Sequence, residues 1–323
     1  MSNLWSIIVL TYQSELSEIR RTLYSILSQT CKEIEIIISD DGSNDNHFEE
    51  IEAYLKECHC KSYILLPHSE NVGTVRNLFD ALMCAKGRFV KAIGAGDMLY
   101  STDTLDKVYT FMSKSNCYIA FGLLKAFYFR NDEIFYPDFF VPQDLSAFKK
   151  NRKRQIQRNI IVYSRCISGA SFFLERNVLV RLLSKIVGRV KYCEDWFQVL
   201  ALLENIEIHY LDDYVIWYEY GTGISTSVNS ASNERMQCDY ESFMNYICED
   251  YRTNPYVQRK KRILKLNQRV PNKYFRLFFK CLVEPAMFIV PIKTKIQGRA
   301  GAYYKNTKGF LYKANSTFLK GES

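Results

Sequence analysis

Three features of the chain predict an α/β fold, a doubly wound and mostly parallel sheet with helices on both faces, followed by a C-terminal basic helical tail. Short apolar runs rich in β-branched residues alternate with stretches of helical period through the first hundred residues. Acidic residues cluster where apolar stretches end, at Asp40-Asp41, Gly96-Asp97 and, further on, Glu194-Asp195. Charge is divided along the chain: residues 1–250 carry 26 Lys+Arg and 33 Asp+Glu, whereas residues 251–323 carry 17 and 2.

Trp5-Ser6-Ile7-Ile8-Val9-Leu10 is continuous and β-branched, as strands buried on both faces tend to be. Leu16, Ile19, Leu23, Ile26 and Leu27 then recur at helical spacing, which predicts a helix over 16–29 with Ser14 as its N-cap. A strand is expected at 34–39, a helix at 44–57, a strand at 63–66, a helix at 72–85 and a strand at 89–93, just ahead of Gly94-Ala95-Gly96-Asp97. This rhythm of βαβ units implies right-handed crossovers. Beyond Asp97 it loosens. A helix is expected over 104–112, short aromatic strands over 118–129, and amphipathic helices over 174–183 and 195–203. The basic stretch 148–158 reads as an exposed loop or helix, either a solvated face or a patch facing phosphate or lipid.

A chain of 323 residues with 47% hydrophobic content can bury a sizeable core, which excludes a disordered or repeat protein. The simplest partition is one domain over 1–230 and a helical, basic region over 231–323. Leu4 to Leu10 is a strand-like run without the basic segment and cleavage site of a leader, so export is not expected. Ten cysteines lack framework spacing, and Cys58-His59-Cys60 has no second pair to complete a zinc site; they read as thiols of a reducing cytoplasm. In the tail, 273–295 mixes aromatic and aliphatic residues with cations, while Lys280, Glu284 and Pro285 interrupt any span long enough to cross a bilayer. Such a segment suits the interface of an anionic leaflet, or else a helical hairpin packed on the main domain. No motif beside its charge marks nucleic-acid binding. The expected location is cytoplasmic and peripheral, on the cytoplasmic face of the membrane.

In an open α/β sheet, ligands bind beyond the carboxyl ends of the strands. Asp40-Asp41-Gly42-Ser43 is a strand-to-loop turn whose carboxylates can accept a base imide N–H or hold a ribose hydroxyl, although Asp-Gly-Ser is also ordinary turn chemistry. Thr11-Tyr12, ending the preceding strand, adds a hydroxyl and an aromatic face for stacking. Asn71 to Asn77 opens a helix with Gly73 at its start and Arg76 one turn inside, a place for anionic oxygen or simply a capped helix with a surface arginine. Asp97 follows a glycine-rich turn, and one carboxylate there suffices for a divalent cation that also binds a diphosphate; it equally suits an N-cap. Glu194-Asp195-Trp196 opens a helix, where a carboxylate in the first turn can act as a general base and Trp196 offers a flat surface to a sugar acceptor. The competing reading has Asp195 as N-cap and Trp196 in the core.

The ordered set Val9-Leu10-Thr11-Tyr12-Gln13, Ser39-Asp40-Asp41-Gly42-Ser43, Asn71-Val72-Gly73 with Arg76-Asn77, Gly96-Asp97 and Glu194-Asp195-Trp196 resembles the inverting glycosyltransferases of family 2, over about residues 4 to 230. The resemblance implies the GT-A fold and transfer of one sugar from a nucleotide sugar, UDP-linked by preference, to a hydroxyl of a glycan or lipid-linked oligosaccharide in cell-surface polysaccharide synthesis. It implies Thr11, Tyr12 and Asp41 as nucleotide-base contacts, Asp40, Arg76 and Gly96 as further members of that pocket, Asp97 as ligand of Mg or Mn, and Asp195 as catalytic base beside Glu194. Gly223-Ile224-Ser225 resembles a late family segment near the diphosphate, often introduced by a histidine where this chain has Tyr220 upstream. Two departures stand out. The metal motif keeps only its last carboxylate, in Ala95-Gly96-Asp97, and the Gln-x-x-Arg-Trp motif of processive members is absent after Trp196, so single-sugar transfer is expected. The reduced metal motif leaves a second reading open, a catalytically weakened, membrane-associated protein that binds nucleotide sugars on the same fold.

Overall fold

The computed structural model describes residues 4–130, 133–137, 141–142, 145–221 and 230–288. Its first half is β1 (Trp5–Thr11), α1 (Leu16–Leu27), β2 (Ile34–Asp40), α2 (Phe48–Glu57), β3 (Tyr63–Pro67), α3 (Thr74–Cys84) and β4 (Phe89–Gly94). Then come β5 (Met98–Leu99), α4 (Thr104–Ser115), β6 (Ile119–Arg130), β7 (Glu133–Phe135), the short helices α5 (Ser146–Lys149) and α6 (Lys153–Gln157), and a π-helical turn over Arg158–Val162. β8 (Phe172–Glu175), α7 (Arg176–Leu183), a tight turn at Glu194–Trp196, α8 (Phe197–Leu203) and β9 (His209–Glu219) complete the sheet region. Three helices follow, α9 (Ser230–Asp250), α10 (Pro255–Arg269) and α11 (Lys273–Val283).

The strands form one curved sheet in the order β3-β2-β1-β4-β8-β6-β9-β5, with β7 on β6. β3, β2, β1 and β4 are mutually parallel, as the βαβ rhythm requires. β8 enters antiparallel between β4 and β6, and β9 runs parallel to β6. Register decides the site: Thr11 pairs with Asp40 and Leu10 with Gly94, so the carboxyl ends of β2, β1 and β4 finish level along one rim.

Alternation along the strands divides the core between the two faces of the sheet. Trp5, Ile7, Val9, Ile36, Ile38, Phe89 and Ile93 point to one side, where they meet Ile19 and Leu23 of α1, Leu55 of α2 and Val108 of α4. Ile8, Ile37 and Val90 point to the other, with Leu78 of α3, Leu182 of α7, Leu200 of α8 and Phe243 and Ile247 of α9. Helices therefore cover both faces. The same core continues through α9 into Val257 of α10, across the expected boundary at 230.

Several local expectations change. Glu15, not Ser14, caps α1, with Glu18 accepting the Glu15 N–H at 3.2 Å. α2 starts at Phe48 because the Asp45 and Asn46 side chains take the N–H groups of His47 and Phe48 in local turns. The aromatic run 118–129 is one twelve-residue strand rather than several short ones. Leu174 and Glu175, expected to open the helix over 174–183, instead end β8, which pairs between two strands before α7 begins at Arg176. The strand β9 carried no separate signal among the polar and aromatic residues of 209–219.

Candidate active site

The end of β2 forms a corner in which polar groups are bonded to one another. Asp40 accepts hydrogen bonds from Thr11 Oγ1 at 2.8 Å and from the N–H and hydroxyl of Ser43, each at 2.7 Å. Asp41 accepts from Asn71 Nδ2 at 3.0 Å, Val72 N at 2.7 Å and Gly73 N at 3.0 Å. Burial lifts the Asp41 carboxyl above the usual range, against the pull of the Gly73 and Val72 N–H groups. The start of α3, which the sequence offered to a ligand anion, is thus already satisfied by Asp41, while the Lys191 carbonyl takes the Val75 N–H at 3.0 Å. Gly73, at φ +89°, is needed for that fit, because a Cβ would stand 2.5 Å from the Lys191 carbonyl oxygen. Tyr12 lies beside this corner, half exposed at the β1 end, where its ring is free of the core.

A cavity of about 430 Å³ adjoins the corner through Thr74, the residue after Gly73. Gly94, Asp97, Ser168, Gly169, Glu194 and Asp195 line it together with the apolar residues Leu10, Leu78, Ile167 and Phe172. Asp97 Oδ1 accepts the Glu219 N–H at 2.9 Å, and burial lifts its carboxyl to about 7, opposed by that N–H and by Lys91. Glu194 and Asp195 are both pushed up by burial, and Glu194 further by the neighbouring Asp195 charge. The Gly169 N–H stabilises the Asp195 carboxylate. A Cβ on Gly169 would lie 2.9 Å from Glu194 Oε1 and 3.2 Å from Asp195 Cβ, so this glycine lets the turn close on the acidic pair. A carboxylate whose proton is released near neutral pH is suited to taking a proton from a hydroxyl.

Arg76 and Trp196 are brought to neither the corner nor the cavity wall. Arg76 is exposed on α3, and its Nε donates to both carboxylate oxygens of Asp80 at 2.8 Å, one turn along. Trp196 is half-buried and packs on α9, with ring centroids 5.1 Å from Phe243 and 6.0 Å from Tyr240. Gly96 stands beside Asp97 at φ +92°, and a Cβ there would lie 2.1 Å from Glu219 Oε2, so the glycine admits that side chain. Gly223-Ile224-Ser225 lies outside the described residues.

Sequence reasoning missed three charged groups around the cavity. Lys91, fully buried in β4, donates to the Ala170 carbonyl at 2.5 Å and sits 5.0 Å from the Phe173 ring. Burial pushes its ammonium down to about 7, while Asp97 and Glu194 hold it up. A lysine inside the apolar run Phe89-Val90-Lys91-Ala92-Ile93 was the available signal. Glu219, at the end of β9, pairs with Arg21 of α1 at 3.1 Å. Asp239 of α9 receives the N–H groups of Lys191, Tyr192 and Cys193 at 2.9, 2.6 and 3.2 Å, which fixes the segment leading into Glu194. Only the fold joins Asp239 to that loop.

The model of glycosyl transferase family 2 matches residues 6–179, more than half of the chain, and includes the β2 corner, Asp97 and Gly169. The chain belongs to glycosyl transferase family 2. A protein described as an uncharacterized glycosyltransferase from Haemophilus influenzae is 30% identical over 120 residues, covering 36% of this chain and 35% of that one. The chain therefore spans about a third of the length of this curated relative. The crystal structure of S. aureus TarS 1–349 in complex with UDP-GlcNAc superposes with a TM-score of 0.52 at 19% identity, covering 79% of this chain and 71% of that chain. The structure of GalNAc-T7 with UDP, GalNAc and Mn2+ gives a TM-score of 0.60 at 13% identity, covering 84% and 52%. These likenesses establish the GT-A fold for this family 2 member.

The donor set at Asp97 bears on the divalent cation that such neighbours contain. Among the described residues no group of three or more His, Cys, Asp or Glu side chains could hold a metal alone. A single pocket carboxylate fits a cation that arrives with a diphosphate and takes its other ligands from phosphate oxygens and water. Asp97 meets that requirement.

Proposed function

We propose that this family 2 member is an inverting, non-processive glycosyltransferase that moves one sugar from a nucleotide sugar, UDP-linked by preference, to an acceptor hydroxyl. The observation that carries the reading is the meeting of Asp97, Glu194 and Asp195 on one cavity beside the Asp41 corner. Asp41 and Tyr12 receive the base, Asp41 through its remaining acceptor capacity and Tyr12 by its exposed ring. The sugar lies toward Asp195. As the acceptor hydroxyl oxygen bonds to the anomeric carbon, its proton passes to Asp195 and the bond to the diphosphate breaks with its electron pair, which inverts that carbon in one displacement. Bound Mg or Mn at Asp97 supplies charge neutralisation for the departing diphosphate. Gly169 and Asp239 hold the base, and Lys91 places a cation behind Glu194. A hydroxyl of a glycan or lipid-linked oligosaccharide fits as acceptor, in assembly of a cell-surface polysaccharide such as capsule or O-antigen.

The test is release of nucleoside diphosphate from a panel of UDP-, GDP- and dTDP-sugars with Mg or Mn, and again with chelator. Release from a UDP-sugar, lost on chelation, is expected. Saturable UDP binding without turnover on any donor would instead favour the nucleotide-sugar-binding protein that the reduced metal motif left open.

A further inference from the structure

The donor site does not use α11. A helix on a soluble surface lays its apolar stripe on the core. In α11 the arrangement is reversed: Tyr274, Phe275, Phe278 and Leu282 are 80%, 63%, 58% and 65% exposed, while Arg276 and Lys280 are half-buried. The helix is nevertheless capped at its start and tied to the body just past its end. Asn272 accepts the N–H groups of Tyr274 and Phe275 at 2.9 and 3.3 Å. Buried Glu284 accepts the Tyr163 hydroxyl at 2.9 Å, and Arg165 donates to the Met287 carbonyl at 2.7 Å. Among the described residues, α11 therefore holds an apolar face out toward solvent.

Charge identifies what covers it. Residues 255–283 contain nine Lys+Arg and no Asp or Glu, and Lys261, Arg262 and Lys265 of α10, the helix packed on α11, are exposed. We infer that α10 and α11 form a docking surface for an anionic lipid leaflet, with the α11 side chains entering the interface and the cations meeting headgroups. A second copy would bring the same uncompensated positive charge to the contact. With eleven residues α11 is about 16 Å long, suited to lying in the interface, and no described helix is long and apolar enough to cross a membrane. Tyr163 and Arg165, which hold the hairpin, run directly into Cys166–Ala170 of the cavity wall, so docking fixes the cavity at a set height above the leaflet. The inference is independent of the donor chemistry.

Co-sedimentation of the full chain with vesicles of phosphatidylcholine, with and without about 30 mol% phosphatidylglycerol, tests it. Binding to the anionic vesicles is expected to exceed binding to the neutral ones at least about tenfold and to weaken with salt. Substituting Phe275→Ser, Phe278→Ser and Leu282→Ser together should reduce it at least about tenfold, as should Lys261→Gln, Arg262→Gln and Lys265→Gln, with unchanged circular dichroism melting. No binding to anionic vesicles, equal binding to neutral ones, or full binding by both variants would overturn the inference. So would a dimer in vesicle-free solution that the apolar variant dissolves, which assigns the face to a second copy. Failure of the donor reading would leave vesicle binding unchanged.

Discussion

The β2 corner and the cavity beside it both depend on carboxylates, yet they treat them in opposite ways. At the corner Asp40 and Asp41 are held by Thr11, Ser43, Asn71, Val72 and Gly73, so the turn is shaped before a ligand arrives. In the cavity Glu194 and Asp195 lie side by side, both lifted by burial and Glu194 further by the Asp195 charge, with Lys91 behind. Occupying most of a carboxylate's acceptor sites with N–H and O–H donors gives a fixed shape for recognition. Withholding solvent from a pair leaves one of them ready to carry a proton at neutral pH. On the proposed reading the corner binds and the cavity carries the chemistry.

The largest expected effect comes from Asp195→Asn, which keeps the shape but removes the base. Turnover should fall by about 10²–10⁴-fold, with UDP affinity by calorimetry unchanged. Asp41→Ala acts on the opposite side. It strands the Val72 and Gly73 N–H groups and should cost about 1–3 kcal/mol of stability in denaturant unfolding, together with weaker UDP binding.

The pH profile separates the corners further. A base works only when deprotonated, so a raised carboxyl moves the loss of activity upward: kcat/KM should fall as pH drops from 8 to 6, a range where an ordinary carboxylate, near 4, stays ionised. Glu194→Gln leaves in place the burial that lifts Asp195, so the limb should move by less than about half a pH unit. The smallest effect is expected for Gly169→Ala. The added methyl presses on the Glu194 carboxylate and the Asp195 Cβ, and kcat should fall by about tenfold or less with UDP binding intact.

Legibility in the sequence followed the range of the interactions. The first four strands and their helices were readable because each βαβ unit is written in its own local periodicity. Thr11, Asp40 and Asp41 could be grouped because adjacent parallel strands end together, and the register bears this out. Residues 172–175 were not readable, because their strand character comes from neighbours on β4 and β6 rather than from their own pattern. Asp239 and Glu219 were invisible for the same reason, since each meets its site from a distant element. The neighbours of Trp196 were equally unreadable: the fold sets it, half-buried, against the rings of Tyr240 and Phe243, which α9 brings from further along the chain.

The division of labour is tested most directly by a double-mutant cycle on Asp41→Ala and Asp195→Asn, read by UDP calorimetry. The account predicts that the double variant binds UDP as Asp41→Ala alone does, with a coupling energy below about 0.5 kcal/mol. Weakening of UDP binding by Asp195→Asn alone to the level of Asp41→Ala would contradict it.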